Sequence, residues 1–270
     1  MSRRGPRTAL SASPLIRGGA VILPASDKDD DKLHGFDLAT GETLWECITT
    51  TPGYGSAISC KLLGADCVAA LVLNDLFVLR KTGASGAGRP ERYDLAWRYA
   101  FPGGTNGNAT TPLAAGPDLL VLTNERQTQA VRLSLDGGKP KATQVWAVDE
   151  AGRCSTPVLY QQRVYLHNGG ELVCLALDDG KVLSRLPLIA EHCTVMLAGS
   201  VLLCLGSDGM LTVADASQPA LKELASYPLM DDAKTWSHPA AVEGSLIIRS
   251  NADLRRVDLS AEANQQRSRD

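Results

Sequence analysis

The segment from Phe36 to Trp45 constrains the fold of this chain more than any other part of the sequence. Its residues, Phe-Asp-Leu-Ala-Thr-Gly-Glu-Thr-Leu-Trp, are typical of a β-strand, a tight turn at Thr40 and Gly41, and a second strand that ends in a large aromatic side chain. Degraded copies of this pattern recur downstream, so the segment is one unit of an internal repeat. A repeat of this size determines the architecture of the whole chain.

Six repeat units can be aligned on the short strand that opens each one. The aligned positions follow one another at steps of 44, 54, 45, 37 and 45 residues and are Pro14, Ile58, Pro112, Pro157, Thr194 and Pro239. Two further β-rich runs follow each opening strand, and in the best-preserved units a fourth run ends at Trp45, Trp97 or Trp146. Four antiparallel strands at a period of roughly 40–45 residues predict the blades of a β-propeller.

We therefore expect an all-β fold, a β-propeller of about six four-stranded blades that occupies residues 11–259. Residues 1–10 are interpreted as a disordered or remnant segment, and residues 260–270 as a disordered polar tail. No amphipathic helical window competes with the strands. A β-sandwich would not explain why the turn and the tryptophan recur in the same phase.

The turn residues and the tryptophans have predicted structural roles. Glycine accepts positive φ where a hairpin reverses, and a threonine hydroxyl can bond to the backbone of the same turn. A tryptophan at the end of a blade can pack against the next blade, with stacking on a ligand as the alternative role. The predicted turn residues are Gly41, Gly83, Gly180, Thr40 and Thr82, and the predicted packing residues are Trp45, Trp97 and Trp146.

The composition excludes several classes of function. A net charge of −3 gives no overall attraction to nucleic acid or to anionic membranes, so we expect no nucleic-acid partner. The apolar runs are of strand length and too short to span a bilayer, and no signal-peptide pattern follows the basic N-terminus.

The seven cysteines include no C-x-x-C pair, which disfavours a structural zinc site and favours reduced core thiols. A disulfide between Cys60 and Cys67 stays open as an alternative, because spacing alone does not decide it.

The first unit resembles the repeat of the quinoprotein-type, or PQQ-like, β-propeller family, which is described as Ala-x-Asp-x-x-Thr-Gly-x-x-x-Trp. Asp37, Thr40, Gly41 and Trp45 match this pattern, and Gly35 occupies the alanine place. Later units retain fewer motif residues: Thr82, Gly83 and Trp97 in the second, Ala130 and Trp146 in the third, Gly180 in the fourth, and Asp215 and Asp258 in the fifth and sixth. Members of this family usually close seven or eight blades, so the resemblance leaves two alternatives open, a six-bladed ring or part of a longer ring.

This resemblance implies a non-catalytic binding or scaffolding protein that contacts a partner protein, of extracytoplasmic or periplasmic location in a bacterial envelope. The alternative is a PQQ-dependent oxidoreductase that acts on sugars or alcohols. Quinoprotein dehydrogenases hold PQQ against a tryptophan, often beneath a disulfide between adjacent cysteines, with calcium bound by carboxylates and amides. This chain lacks adjacent cysteines and an identifiable ligand cluster, so we expect no cofactor and no enzymatic activity.

Other candidate chemical groups have simpler interpretations. Asp27, Asp29 and Asp31 alternate in a charged run, but the glycine and glutamate of a calcium loop are missing and lysines interrupt the run, which predicts a solvated hairpin tip. Ser237 and His238 are adjacent on a predicted strand, so their side chains point to opposite faces and do not form a catalytic pair. The glycine-rich segment 84–93 lacks the lysine of a phosphate loop and is interpreted as a flexible surface excursion.

Overall fold

The computed structural model describes residues 12–26, 31–48, 53–83, 90–103, 108–230 and 234–259. These residues form six antiparallel sheets, and the strands of each sheet are neighbours in the order of the chain. The predicted all-β propeller fold is therefore confirmed. The predicted segments 1–10 and 260–270 lie outside the described residues, as do Asp27 and Asp29.

The sheets are the blades of the propeller, numbered in chain order. Blade 1 contains β1 (Leu15–Arg17), β2 (Ala20–Ser26), β3 (Asp31–Asp37) and β4 (Thr43–Ile48); blade 2 contains β5 (Ile58–Leu62), β6 (Ala65–Leu71), β7 (Asp75–Lys81) and β8 (Tyr93–Ala100); blade 3 contains β9 (Leu113–Ala114), β10 (Leu119–Thr123), β11 (Thr128–Asp136) and β12 (Lys139–Val148). Blade 4 contains β13 (Val158–Tyr160), β14 (Arg163–His167), β15 (Glu171–Ala176) and β16 (Val182–Pro187); blade 5 contains β17 (Cys193–Ala198), β18 (Val201–Gly206), β19 (Met210–Asp215) and β20 (Lys222–Pro228); blade 6 contains β21 (Ala240–Val242), β22 (Ser245–Arg249) and β23 (Leu254–Asp258).

The core is divided into five apolar clusters, each of which lies between two successive blades. Strand β10 shows why: all five of its residues are buried. Its side chains alternate, so Leu120 and Leu122 pack toward blade 2 while Leu119 and Val121 pack toward blade 4. Full burial of one such side chain contributes about 1.5–3 kcal/mol, so the blades stabilise one another through their faces.

A β-bulge recurs in the same phase in blades 1 to 5. In each of these blades the fourth strand carries one extra residue immediately before the place of the motif tryptophan; these residues are Leu44, Ala96, Val145, Leu183 and Leu224. The repeat therefore persists in blades 4 and 5, where Ser184 and Ala225 stand in the tryptophan place.

The expected four-stranded blades are present in blades 1 to 5, and β16 and β20 complete blades 4 and 5 although these units keep no tryptophan. One detail of the predicted strands is wrong. The fourth strands continue two or three residues beyond Trp45, Trp97 and Trp146 instead of ending there. The bulge before each tryptophan turns its side chain into the blade interface without ending the strand.

The prediction for Gly83 is also wrong. Gly41 and Gly180 have positive φ angles of 75° and 74°, as a tight reversal requires, but the φ of Gly83 lies outside the left-handed region. The connection from β7 to β8 spans residues 82–92, so the chain makes no tight turn directly after Thr82. Instead, the Thr82 backbone N–H donates to the Arg92 carbonyl at 3.0 Å, and this hydrogen bond joins the two ends of the longer connection.

Candidate functional site

The innermost strands of the blades flank the central channel, where propellers commonly hold ligands. These strands are β1, β5, β9, β13, β17 and β21, and their residues are mainly apolar or small. Their charged residues are Arg17 and Lys61, and none of them carries a carboxylate. The channel walls formed by the described strands thus supply neither acids nor amides that converge on one point.

Arg17 is already engaged by a cluster of charges between blades 1 and 2. Its Nε lies 3.3 Å from Oε2 of the buried Glu91, and its Nη2 lies 3.0 Å from Oδ1 of Asp66. Lys81 Nζ donates to Glu91 Oε1 at 2.6 Å, and the Tyr93 hydroxyl donates to Glu91 Oε2 at 2.5 Å. Burial alone would raise the pKa of Glu91, but these donors and cations outweigh it and lower that pKa below its ordinary value. The cluster therefore stabilises the interface between the two blades.

Four hydroxyl residues link the starts of four consecutive blades. The backbone N–H of Ser13 donates to Ser56 Oγ at 2.8 Å, that of Ser56 to Thr111 Oγ1 at 3.2 Å, and that of Thr111 to Thr156 Oγ1 at 3.2 Å. Each residue lies two positions before its innermost strand. The sequence alignment included these openings but assigned no linking role to the hydroxyl residues. The shared feature in the sequence is a serine or threonine two positions before the innermost strand in four of the units.

One face of the propeller, here called the linker face, carries the segments that join the last strand of a blade to the first strand of the next. They comprise residues 49–57, 101–112, 149–157, 188–192 and 229–239, of which 49–52, 104–107 and 231–233 are not described. The opposite face, here called the turn face, carries the reversals between the first and second and between the third and fourth strands of each blade.

Buried amides and hydroxyls fix the linker face. Asn108 Nδ2 donates to the carbonyls of Val72 and Phe101, each at 2.9 Å. Asn124 Nδ2 donates to the Pro102 carbonyl at 3.0 Å and lies 3.3 Å from Asn108 Oδ1. Because buried polar groups without partners are costly, this network holds the linker backbone in one arrangement. These contacts therefore fix the described part of the linker between blades 2 and 3.

Two large apolar side chains are exposed on two other linkers of this face. Ile189 is 99% exposed in the linker between blades 4 and 5, and Trp236 is 62% exposed in the linker between blades 5 and 6. The Trp236 ring lies 4.6 Å from the ring of His192, so the two linkers contact each other. Neither residue belongs to the repeat motif, and no spacing rule in the sequence distinguishes them from buried apolar residues.

The motif residues of the first unit build the turn between β3 and β4 on the turn face. Asp37 Oδ1 accepts from the backbone N–H groups of Ala39 at 2.8 Å and Thr40 at 2.9 Å. Thr40 Oγ1 accepts from the Glu42 N–H at 3.2 Å, and the Gly41 N–H donates to the Asp37 carbonyl at 2.8 Å. These contacts satisfy the polar groups of the turn, so the motif shapes the scaffold and lies opposite the linker face.

The three motif tryptophans lie between blades. Trp146 Nε1 donates to the Leu177 carbonyl of blade 4 at 2.7 Å, and Trp97 Nε1 donates to the Ser134 carbonyl of blade 3 at 3.3 Å. The rings of Trp45 and Tyr93 in blade 2 are 5.8 Å apart. All three indoles are at least 91% buried, which leaves little surface for stacking on a ligand.

The remaining titratable candidates are not brought together. His34 stacks on Phe36 at 5.3 Å, and burial lowers the pKa of His167, which favours its neutral form. None of the seven cysteines, all of which are described, forms a disulfide. Cys60 and Cys67 face each other across β5 and β6, and burial raises the pKa of Cys60 to about 12. Within the described part of the chain, no group of three or more His, Cys, Asp or Glu side chains could hold a metal ion.

The innermost strands that the structure describes do not fit PQQ and calcium. Calcium takes six to eight oxygen ligands, and the innermost strands contribute no carboxylate to such a set. PQQ is a tricarboxylate, and one of the two cations on these strands, Arg17, is already bound by Glu91 and Asp66. In the ranges that the structure describes, no helix is long and apolar enough to cross a bilayer.

Comparison with known proteins agrees with this geometry. Residues 76–201 match the family model described as outer membrane protein assembly factor BamB. BamB from Moraxella catarrhalis superposes with a TM-score of 0.59 at 13% identity, covering 89% of this chain and 67% of BamB. Sqt1 from Chaetomium thermophilum, bound to the N-terminus of the ribosomal protein L10, superposes with a TM-score of 0.63 at 13% identity, covering 89% of this chain and 71% of Sqt1.

The chain is a β-propeller, and its residues 76–201 resemble the PQQ-like repeat family. A second structure of Chaetomium thermophilum Sqt1 superposes on this propeller with a TM-score of 0.63 at 14% identity, covering 89% of this chain and 68% of Sqt1. A search of the curated proteins found no significant match. At identities this low, similarity to solved structures establishes the fold of the chain and not its ligand.

Proposed function

We propose that this chain is a non-catalytic PQQ-like propeller that binds a partner protein on its linker face. The observation that carries the proposal is the exposure of Trp236 and Ile189 on linkers that hydrogen bonds to the neighbouring blades hold in place. In these linkers Thr235 Oγ1 donates to the Arg249 carbonyl at 2.7 Å, and the His192 carbonyl accepts from the Ser207 N–H at 2.7 Å. Exposed aromatic side chains on a rigid surface are favourable anchors for protein interfaces, because they bury much apolar area at little entropic cost. The channel supports binding over catalysis, since its described strands contribute no acid to act on a substrate.

The solved relatives support the same proposal. Sqt1 is a propeller bound to a segment of another protein, and BamB is described as an assembly factor of outer membrane proteins. By analogy with BamB, we place the protein in a bacterial envelope, in contact with other proteins of that compartment. Fractionation of the native source into cytoplasm, periplasm and membranes tests this location, and recovery in the cytoplasm alone would contradict it.

The binding proposal is tested by affinity purification from the native source with quantitative mass spectrometry. The wild-type protein is compared with Trp236→Ser, which removes the exposed indole, and with Leu135→Ser as a matched control. Leu135 is a similarly exposed apolar residue, 50% accessible, next to the reversal between β11 and β12 on the turn face. A set of proteins that Trp236→Ser loses and Leu135→Ser retains is the expected result. Equal recovery by all three forms would refute binding through the linker face.

Titration with PQQ and calcium distinguishes binding from quinoprotein catalysis. A ligand that binds only the folded state at a hundredfold excess over Kd stabilises it by about 2.7 kcal/mol, which a melting curve detects readily. We expect no shift in Tm with PQQ, calcium or both. A dose-dependent rise in Tm would overturn the non-catalytic proposal and point to a cofactor site.

A further inference from the structure

A cleft of about 230 Å³ lies between blades 4 and 5, outside the central channel. One wall is the segment from Pro187 to Ala190, which joins β16 to β17, and the other is the face of blade 5 that is turned toward blade 4. A cavity of about 150 Å³ is enough to hold benzene, so this cleft has room for one large apolar side chain.

Successive side chains of the linker alternate between buried and exposed positions, and the buried ones form the apolar part of this cleft. The Leu188 N–H donates to the Gly170 carbonyl at 2.8 Å, and its buried side chain belongs to the core between blades 4 and 5. Ala190 is also buried, so Ile189 between them points outward at the rim of the cleft. Cys193 and Met210 extend the apolar lining into blade 5. A ligand side chain in the cleft would therefore contact hydrocarbon on the linker wall and sulfur on the wall formed by blade 5.

The polar part of the lining is acidic. Asp208 and Glu223 line the cleft together with the hydroxyl residues Thr212 and Ser226, and the described lining includes no cationic side chain. Lys222 is adjacent to Glu223 on β20 and therefore points to the opposite face of the strand, across the ladder from Asp215.

The nearby Arg185 does not neutralise the cleft. Its Nη1 lies 2.8 Å from Glu171 Oε2, and its other terminal nitrogen is paired with Glu150. Its charge is therefore compensated within its own surroundings. An apolar cleft with two carboxylates and no cation in its lining attracts a ligand that is apolar and positively charged.

We propose that this cleft binds a segment of the partner protein in which one large apolar side chain is flanked by lysine or arginine. The inference rests on the proposed protein-binding function and adds the chemistry of the bound segment. The apolar side chain enters the cleft between the linker and blade 5, and the flanking cations lie against Asp208 and Glu223. The partner contacts Ile189 at the rim, which removes its exposed side chain from water.

Three labelled peptides test this specificity by fluorescence anisotropy with the full chain. They are Gly-Lys-Phe-Lys-Gly, the acidic analogue Gly-Glu-Phe-Glu-Gly and the truncated analogue Gly-Lys-Ala-Lys-Gly. The first peptide should bind with a Kd at or below about 1 mM and at least about tenfold more tightly than either analogue. Equal binding of the acidic peptide, or no saturable binding of the first peptide up to about 1 mM, would overturn the proposal.

Substitutions in the cleft locate the binding site. Ser226→Phe places a ring in the cleft from an exposed position on the edge strand β20 and should abolish binding of the first peptide. Glu223→Gln and Asp208→Asn keep the side-chain shape and should each weaken binding by up to about fivefold. The control Glu42→Gln removes an exposed carboxylate from blade 1 and should leave the affinity unchanged. Matching far-ultraviolet circular dichroism and Tm values establish that each variant is folded.

The outcomes separate this inference from the proposed function. Unchanged peptide affinity in Ser226→Phe would overturn the cleft as the binding site. If Trp236→Ser loses partner proteins while the basic peptide does not bind, the linker face is still a binding surface and only the cleft proposal fails. If the basic peptide binds wild-type protein but not Ser226→Phe, while Trp236→Ser retains every partner, the cleft is supported and binding through Trp236 fails.

Discussion

Truncation of Trp146 to alanine is the perturbation that most severely tests the packing between blades. The indole is 93% buried, and its Nε1 donates to the Leu177 carbonyl of the next blade at 2.7 Å. Truncation of a buried tryptophan costs about 3–5 kcal/mol through lost burial and the cavity that it leaves. For a chain of this size each kcal/mol lowers Tm by about 2–4 °C, so Trp146→Ala should lower Tm by about 6–20 °C.

A double-mutant cycle with Gly180 isolates the contact between the blades. A Cβ at Gly180 would lie 2.6 Å from Trp146 Cε3, and the φ of Gly180 is +74°. Gly180→Ala should therefore cost about 1–2 kcal/mol for the left-handed backbone and about 1–3 kcal/mol more for the clash with the ring. In the Trp146→Ala background only the backbone cost should remain, which leaves a coupling of about 1–3 kcal/mol.

Two control variants separate the contact between the blades from the cost of the backbone conformation and from the loss of an exposed indole. Gly41→Ala has the same backbone cost, since its φ is +75°, but a Cβ there meets nothing within 4 Å. Trp236→Ala removes an indole that is 62% exposed and should change stability by less than about 1 kcal/mol. Stabilities are measured by urea unfolding followed by far-ultraviolet circular dichroism. A loss below about 1 kcal/mol for Trp146→Ala, or no coupling to Gly180→Ala, would refute the packing role.

Three further predictions concern other contacts. Gly35→Ala places a Cβ in steric conflict with the Trp45 indole and should destabilise the protein by about 1–3 kcal/mol in urea unfolding. Glu91→Gln weakens the ion pair with Lys81 and should cost about 1–3 kcal/mol near pH 7. Because the pKa of Glu91 is lowered on folding, its stabilisation is present above the ordinary glutamate pKa and is lost on acidification, so the two stability curves should converge as pH falls from about 5 to about 3. Cys154 is exposed, and iodoacetamide should alkylate it first in the native protein, as peptide mass spectrometry would show.

Each of these predictions has a control or a contradicting outcome. Gly170→Ala introduces a Cβ with nothing within 4 Å at ordinary φ and should change stability by less than about 0.5 kcal/mol. A pH-independent gap between wild type and Glu91→Gln would contradict the role of the Glu91 charge. Alkylation of the buried Cys174 or Cys204 as fast as Cys154 would contradict the buried environment of those thiols.

The fold could be predicted from the sequence because the repeat motif is formed by residues that are close together in the chain. Asp37, Thr40 and Gly41 form one turn through contacts with their own neighbours, so their spacing alone identifies it. The fourth strands of blades 4 and 5 were expected from the four-stranded repeat but could not be located, because the signal for their position relied on a tryptophan, whereas the structure preserves a bulge that Leu183 and Leu224 occupy without any characteristic residue type. A bulge depends on pairing with the adjacent strand, so the sequence of one strand alone does not indicate where the bulge lies.

The candidate site could not be predicted in the same way, because its parts come from different segments of the chain. Ile189 and Trp236 become exposed only because their linkers run over the surface, and the cleft combines Asp208, in the reversal between β18 and β19, with Glu223 on β20. The type of an apolar residue does not show whether it lies in an exposed linker or in a buried strand. Its burial depends on how the neighbouring blades pack. Surface sites built from several repeats therefore depend on tertiary structure.

Site-specific photo-crosslinking in the native source tests binding through the linker face most directly. A benzoylphenylalanine residue replaces Trp236 on the linker face in one form and Leu135 on the turn face in the other. Crosslinks to a defined partner protein from position 236, and none from position 135, are the predicted result. Crosslinks from position 135 alone, or equally from both positions, would contradict a protein-binding linker face.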